Sequence, residues 1–217
     1  FKLKIMRSFS QEGEDLIISN IFNFHKMKSK DIFYLDIGAG HPIRYSNTLF
    51  FYYQNARGIT VDANYKNIYL HKLLRLNDYS FNFLLGASNK FVEYYKFKQT
   101  ELNTTNQNKV KELAKQNIFP LAKEKMIQKK FDDFLNNELK ESLSRINFLN
   151  IDIEGGELEL LKQIDWTKFK PDIICIEIIS NNFDEIFKSE IHKLLILQKY
   201  KLFSKLYNSV IFTKYNS

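Results

Sequence analysis

The sequence predicts an α/β protein built on a doubly wound, mainly parallel sheet. Three observations lead there. Short, almost wholly apolar runs recur as "DIFYLDI", "GITVD", "INFLNID" and "PDIICIEI", the pattern of strands buried on both faces of a parallel sheet. Longer stretches with apolar residues at helical spacing separate them. The chain then closes on "YKLFSK" and "SVIFTKY", two strands near enough to pair as an antiparallel hairpin around Asn208.

The elements read in order. "SQEGEDLIISNIFNF" is a helix from Ser10 to Phe24, with Ser10 as N-cap, acids in the first turn, and Leu16, Ile17, Ile21 and Phe24 at helical spacing. "DIFYLDI" is the first strand. Ser46 opens a second helix over "NTLFFYYQNA", which stops at Gly58; "GITVD" is the second strand. "NYKNIYLHKLLRLN" is a third helix, "YSFNFLLGAS" a third strand, and "FVEYYKFK" an added antiparallel strand. Residues 99–130 fit neither period and are expected to form a lid or insertion within a single domain, 1–217. "KFDDFLNNELKESL" is a helix, "INFLNID" a strand, "GGELELLKQI" a helix and "PDIICIEI" a strand. "FDEIFKSEIHKLLILQK" is one helix with Ile186, Phe187, Ile191, Leu194 and Leu195 on one side.

Composition narrows the class. Hydrophobic residues at 44% and charged residues at 26% are globular values. No apolar run approaches the roughly 20 residues of a spanning helix, and "FKLKIMRSFSQ" lacks the apolar centre of a secretory signal. Phe1 in place of Met suggests a fragment or a processed chain. Cys175, the only cysteine, excludes an intramolecular disulfide and a multi-cysteine metal site; a buried thiol in a reducing, cytoplasmic setting is expected. Much of the net charge of +7 gathers in residues 109–130, which hold seven lysines against two glutamates. Basic patches bind phosphate backbones. This one has no arginine and no interleaved run of aromatic residues, so a solvated surface or a groove for an anionic small molecule serves equally well.

The chemistry starts at "FYLDIGAGHP". A glycine turn at the end of the first strand lets backbone approach a ligand closely. The dinucleotide fingerprint needs a third glycine where Ile43 stands, which argues against a pyrophosphate and a nicotinamide cofactor. Asp36, immediately before Gly38 and Gly40, suits a ligand carrying ammonium and sulfonium centres. Asp62 ends the second strand, 26 residues beyond Asp36, placed to accept bonds from both hydroxyls of an adenosine ribose. It can also be a plain N-cap of the following helix.

"SQEGEDLII", "LDIGAGHPIRYSNT", "GITVDAN" and "NIDIEGGELELLK" occur here together and in order, followed by "PDIICIEI". The ordered set, over roughly residues 8 to 180, resembles FkbM-type methyltransferases, which use S-adenosylmethionine. The resemblance implies a class I methyltransferase (Rossmann-like) fold, with seven strands and a terminal antiparallel hairpin. It implies a cofactor pocket made by Gln11, Asp36, Gly38, Gly40, Asp62 and Ala63. Ser46 and Asn47, with Thr48, stand where side chains and helix N–H groups can bond the methionine carboxylate.

Methyl transfer to oxygen requires a base or a metal near the acceptor. "NIDIEGGELE" offers Asp152, Glu154 and Glu157 around two glycines; an acidic first turn for the helix dipole is the simpler account of some of them. Asp152 is read as both catalytic and cofactor-facing, and Glu154 as catalytic. Glu177, an acid inside an apolar strand, needs a partner; it can face Asp152 and, with Asn181 or Asn182, hold Mg²⁺, a secondary reading. His41 is a candidate base. His25, His71 and His192 read as surface or packing residues. Together these residues suggest an O-methyltransferase acting on a small-molecule acceptor: a hydroxyl of a sugar, a sugar nucleotide or a bacterial surface glycan such as capsule. An RNA methyltransferase and a non-catalytic binding module of the same fold are the alternatives, and neither nucleic acid nor a membrane span is expected.

Overall fold

The computed structural model describes residues 7–140 and 142–215. Its first helix, α1 (Glu14–Phe24), starts later than Ser10. Gly13 adopts φ 93°, outside the helix, and the Ser10 hydroxyl accepts from the N–H groups of Gly13 and Asp15 in a tight turn ahead of it. There follow β1 (Phe33–Ile37), α2 (Leu49–Tyr53), β2 (Arg57–Asp62), α3 (Tyr65–Leu74) and β3 (Tyr79–Asn82). "YSFNFLLGAS" is not one strand. It breaks at Phe83, and β4 (Leu84–Gly86) leaves for a second sheet, together with β5 (Lys90–Lys96) and β6 (Ala122–Lys130). The order there is β4-β6-β5, so "FVEYYKFK" is antiparallel as expected but outside the main sheet. Helix α4 (Gln107–Lys115) and β6 both fall in the 99–130 segment, which therefore supplies the central strand of the small sheet.

The helix expected over "KFDDFLNNELKESL" is shorter: α5 (Phe131–Asp133) widens into a π-helical turn over Phe134–Glu138. After it come β7 (Phe148–Ile151), α6 (Glu157–Leu161), β8 (Ile173–Glu177), α7 (Phe183–Lys188), α8 (Glu190–Leu197), β9 (Lys201–Lys205) and β10 (Ser209–Thr213). The last long helix is thus two. Ser189 is extended, and its hydroxyl accepts from the His192 N–H to start α8 afresh.

The main sheet runs β3-β2-β1-β7-β8-β10-β9. β1 lies parallel to β2 and β7, and β8 parallel to β7; β10 is antiparallel to both β8 and β9. Alternation along the strands divides the interior into two layers. Leu35, Ile37, Leu149, Ile151, Ile174 and Ile176 face Phe134, Leu160, Ile186 and Leu195. Tyr34, Phe148, Ile173, Cys175 and Ile211 face Ile18, Phe22 and Phe51 of α1 and α2. Each such side chain contributes about 1.5–3 kcal/mol by leaving water. The chain builds outward from β1 to β3, then returns to β7 on the other side of β1. That reversal opens a crevice at the carboxyl ends of β1, β2 and β7, where open sheets of this kind bind ligands.

Candidate active site

A cleft with about 1030 Å³ of empty volume, open to solvent, lies at that crevice. Its floor is Ile37 to His41 from the exit of β1, Val61 to Ala63 from the end of β2, and Asp152 to Glu154 from the exit of β7. Gln11, Arg44, Phe83, Tyr94, Glu101, Asn103 and Thr105 join them in the lining.

The glycine turn is held from three directions. Gly38 and Ala39 both donate to the Val61 carbonyl, at 2.8 and 3.1 Å. Gly40 N–H donates to Asp62 Oδ2 at 2.8 Å. Gly38 has φ 78°, and a Cβ on it would lie 1.7 Å from the Asp152 carbonyl oxygen, so the turn can pack against β7 only with glycine there. A Cβ on Gly40 would find its nearest neighbour 3.9 Å away. That open side lies in the cleft lining.

Below the turn sits a polar layer. Arg75 is 1% exposed; its Nε and Nη2 donate to the Pro42 carbonyl, Nη2 to Ser46 Oγ and Nη1 to Thr48 Oγ1. Thr48 Oγ1 donates to Asp36 Oδ2 at 2.7 Å, and Asn150 Nδ2 to Asp36 Oδ1 at 2.9 Å. Asn47 donates to the Asn150 side-chain carbonyl, and Ser46 Oγ accepts from the N–H groups of Thr48 and Leu49. Asp36, Ser46 and Asn47 therefore face this layer and not the cleft. Burial raises the Asp36 carboxyl, and Thr48, Arg75 and Asn150 pull it back down. Along α3 and just past its end, Ile68, His71 and Arg75 are buried, while Leu73, Leu74 and Leu76 are exposed. His71 Nε2 donates to the Gly40 carbonyl at 3.2 Å, so this histidine belongs to the turn's support and not to the surface.

Of the expected site residues, Gln11, Gly38, Gly40, His41, Asp62, Ala63, Asp152 and Glu154 all line the cleft. Asp62 accepts from Gly40 and Asn67 at Oδ2 and from Asn64 at Oδ1, leaving one of about four acceptor positions on the carboxylate. The N-cap of α3 is Asn64, not Asp62. His41 Nδ1 accepts from the N–H groups of Ile43 and Arg44 at 3.1 and 3.2 Å, which puts the neutral ring's proton on Nε2. Partial burial, then Arg44, lowers its pKa, so the ring rests neutral, as a donor without a lone pair for a proton. Asp152 is different. Its carboxylate is exposed in the open cleft and accepts no hydrogen bond from the described residues. Desolvation by the surrounding cleft wall, followed by the charges of Glu177 and Glu157, raises its pKa above the ordinary carboxylate value. Glu177 rises too, from burial first.

Oxygens of Asp152, Glu154 and Glu177 come within 4.8 Å of one another. Asn182 is not with them; it caps α7 by accepting from Glu185. Glu157 clamps the turn before α6, its carboxylate accepting from the N–H groups of Ile153, Gly155 and Gly156. Four of the seven lysines in residues 109–130 are paired with acids: Lys109 with Glu154, Lys123 with Glu93, Lys129 with Glu138 and Lys130 with Asp132. Sequence reasoning missed Tyr94, Asn103 and Arg75. Only Tyr94 left a signal, as an inward position of an alternating strand.

A sequence profile described as the methyltransferase FkbM domain matches residues 36–203. The chain belongs to the FkbM methyltransferase family. S-adenosylmethionine is the usual cofactor of this family. No curated protein matches the sequence. Among solved structures, monomeric WbdD superposes with a TM-score of 0.47 at 10% identity, covering 95% of this chain and 41% of that one. The chain thus spans about two fifths of that protein. A TehB-like SAM-dependent methyltransferase from Corynebacterium glutamicum gives 0.41 at 9% identity, covering 93% of this chain and 98% of that one. Among the described residues no helix is long and apolar enough to cross a membrane.

Proposed function

We propose that this FkbM-family protein transfers a methyl group from S-adenosylmethionine to a hydroxyl of a sugar, a sugar nucleotide or a glycan. The observation that carries the reading is Asp152, a carboxylate with free acceptor positions beside the glycine turn. The cleft suits the cofactor: Asp62 and Asp152 give it a negative lining, favourable for a cation, in a chain of net charge +7. Asp62 would hold one ribose hydroxyl through its remaining acceptor position. The backbone of Gly38 to Gly40 would lie along the bound molecule, with Gln11 opposite. Bound there, S-adenosylmethionine supplies an electrophilic methyl group on a sulfonium sulfur.

Asp152 takes the proton that an acceptor hydroxyl must lose as its oxygen gains the methyl group. Its raised pKa makes it a better proton acceptor than an ordinary aspartate. His41 Nε2 donates toward the acceptor, and Arg44, Glu101, Asn103 and Thr105 give the cleft the mixed donors and acceptors that a polyhydroxylated molecule requires. Arg44 also suits the phosphates of a sugar nucleotide. The pairing of most lysines in residues 109–130 with acids leaves little of the charge an RNA substrate would need.

The test is calorimetric titration with S-adenosylhomocysteine, followed by a screen of sugar nucleotides for methylated product by mass spectrometry. Micromolar binding and a product lost at least a hundredfold in Asp152→Asn, with cofactor affinity within about threefold of wild type, are expected. Absence of binding would refute the cofactor reading, and full turnover in Asp152→Asn would refute the base.

A further inference from the structure

The 99–130 segment meets the floor of the cleft at one place. Thr104 Oγ1 donates to the Glu154 carbonyl at 2.6 Å. Asn106 packs so tightly on the next residue that a Cβ on Gly155 would lie 2.6 Å from its amide nitrogen. Lys109, in α4, forms an ion pair with the Glu154 carboxylate, and the two side chains are only 15% and 16% exposed. Glu154 itself is held at φ 61°, a conformation that non-glycine residues seldom adopt. The structure thus fixes this acid where the lysine arrives.

Three carboxylates within 4.8 Å of one another repel unless a cation joins them. Two neighbouring acids are already engaged: Glu157 accepts three backbone N–H groups, and Glu12 accepts the Asn208 N–H. Among the described residues, Lys109 is the one cation paired with any member of the cluster. Its ammonium has three donors; it pairs with Glu154, and the charges of Asp152 and Glu177 lie near enough to feel it. Its charge also draws the carboxyls of Asp152 and Glu177 downward, against the desolvation that raises them.

We propose that Lys109 is the resident cation of the Asp152–Glu154–Glu177 cluster, a positioning residue that occupies the place a divalent metal ion would otherwise take. Docking of the insertion then completes the acceptor side of the cleft without a metal. This consequence rests on the methyl-transfer reading of the cleft; the test reads cation binding alone, so the two can fail separately.

The experiment measures Mn²⁺ binding by electron paramagnetic resonance of the free ion, on wild type, Lys109→Met, Lys109→Gln and Lys109→Arg, with circular dichroism as the folding control. Wild type and Lys109→Arg are expected to bind Mn²⁺ only weakly. The neutral variants are expected to bind it at least tenfold tighter, and Lys109→Met combined with Asp152→Asn to lose that gain. Tight Mn²⁺ binding by wild type would overturn the proposal without recourse to any variant. So would unchanged, weak binding in whichever neutral variant folds.

Discussion

Acid should unfold this protein largely through one residue, His71. Its ring is fully buried in α3, with Nε2 on the Gly40 carbonyl and Nδ1 without a partner among the described residues. Burial first, then the Arg75 guanidinium, push its pKa down from 6.5 to about 3. The unfolded chain takes up a proton that the folded one refuses. This group's contribution is therefore fully present above pH 6.5 and lost as the pH falls toward about 3. At about 1.36 kcal/mol per pH unit, the loss between pH 6.5 and 4 is about 3.4 kcal/mol. His71→Gln keeps an amide donor for Gly40 and cannot charge. Urea unfolding at about pH 7, 5.5 and 4 should show the variant weaker by roughly 1 kcal/mol at neutrality and the more stable protein at the acid end. Asp78 acts with the opposite sign. Burial raises its carboxyl from 3.8 to about 6, so its contribution is present below pH 3.8 and lost as the pH rises through about 6. It is common to both proteins and cancels in the comparison. Parallel loss of stability in wild type and variant would refute the reasoning.

Two further substitutions probe the cleft floor. Gly38→Ala must place a methyl group 1.7 Å from the Asp152 carbonyl at φ 78°, and the turn has to move; a loss of about 3 kcal/mol or more is expected in thermal or urea unfolding. Retained stability would mean that β1 and β7 part easily at this end. Asp62→Ala removes the acceptor for Gly40 and the proposed ribose acceptor together, so affinity for S-adenosylhomocysteine should fall at least tenfold by calorimetry; equal affinity would detach Asp62 from the cofactor.

Much of this architecture is legible before any coordinates. The runs around Leu35, Ile59, Leu149 and Ile174 read as buried strands because a strand covered on both faces is apolar at every position, a signal independent of tertiary context. Gly38, Gly40, Asp62 and Asp152 read as cleft residues because strand ends in such sheets converge. Where the reading fails, long-range packing overrides local pattern. The helix over "NYKNIYLHKLLRLN" is legible, but Arg75 at its end gives no sign of its role: the loop from Pro42 to Thr48 needs a donor-rich side chain beneath it, and Arg75 turns inward to serve it. The same loop draws Asp36 away from the cleft. The break at Phe83 was equally hidden, since residues on both sides of it favour strand and only the partner strands decide which sheet each joins.

One contact ties the two ends of the fold to the order in which it is made. Glu12, next to the cleft residue Gln11, accepts the N–H of Asn208 in the β9–β10 turn, and Glu14 accepts from Ser209. The Gln11 side of the cleft is thus pinned by residues that lie far along the chain from it. A nascent chain halted before the hairpin has the glycine turn and Asp62 but no anchor for Gln11. That wall of the cleft should therefore take its final place only once β10 has paired with β8, so the site is finished by the same step that closes the sheet.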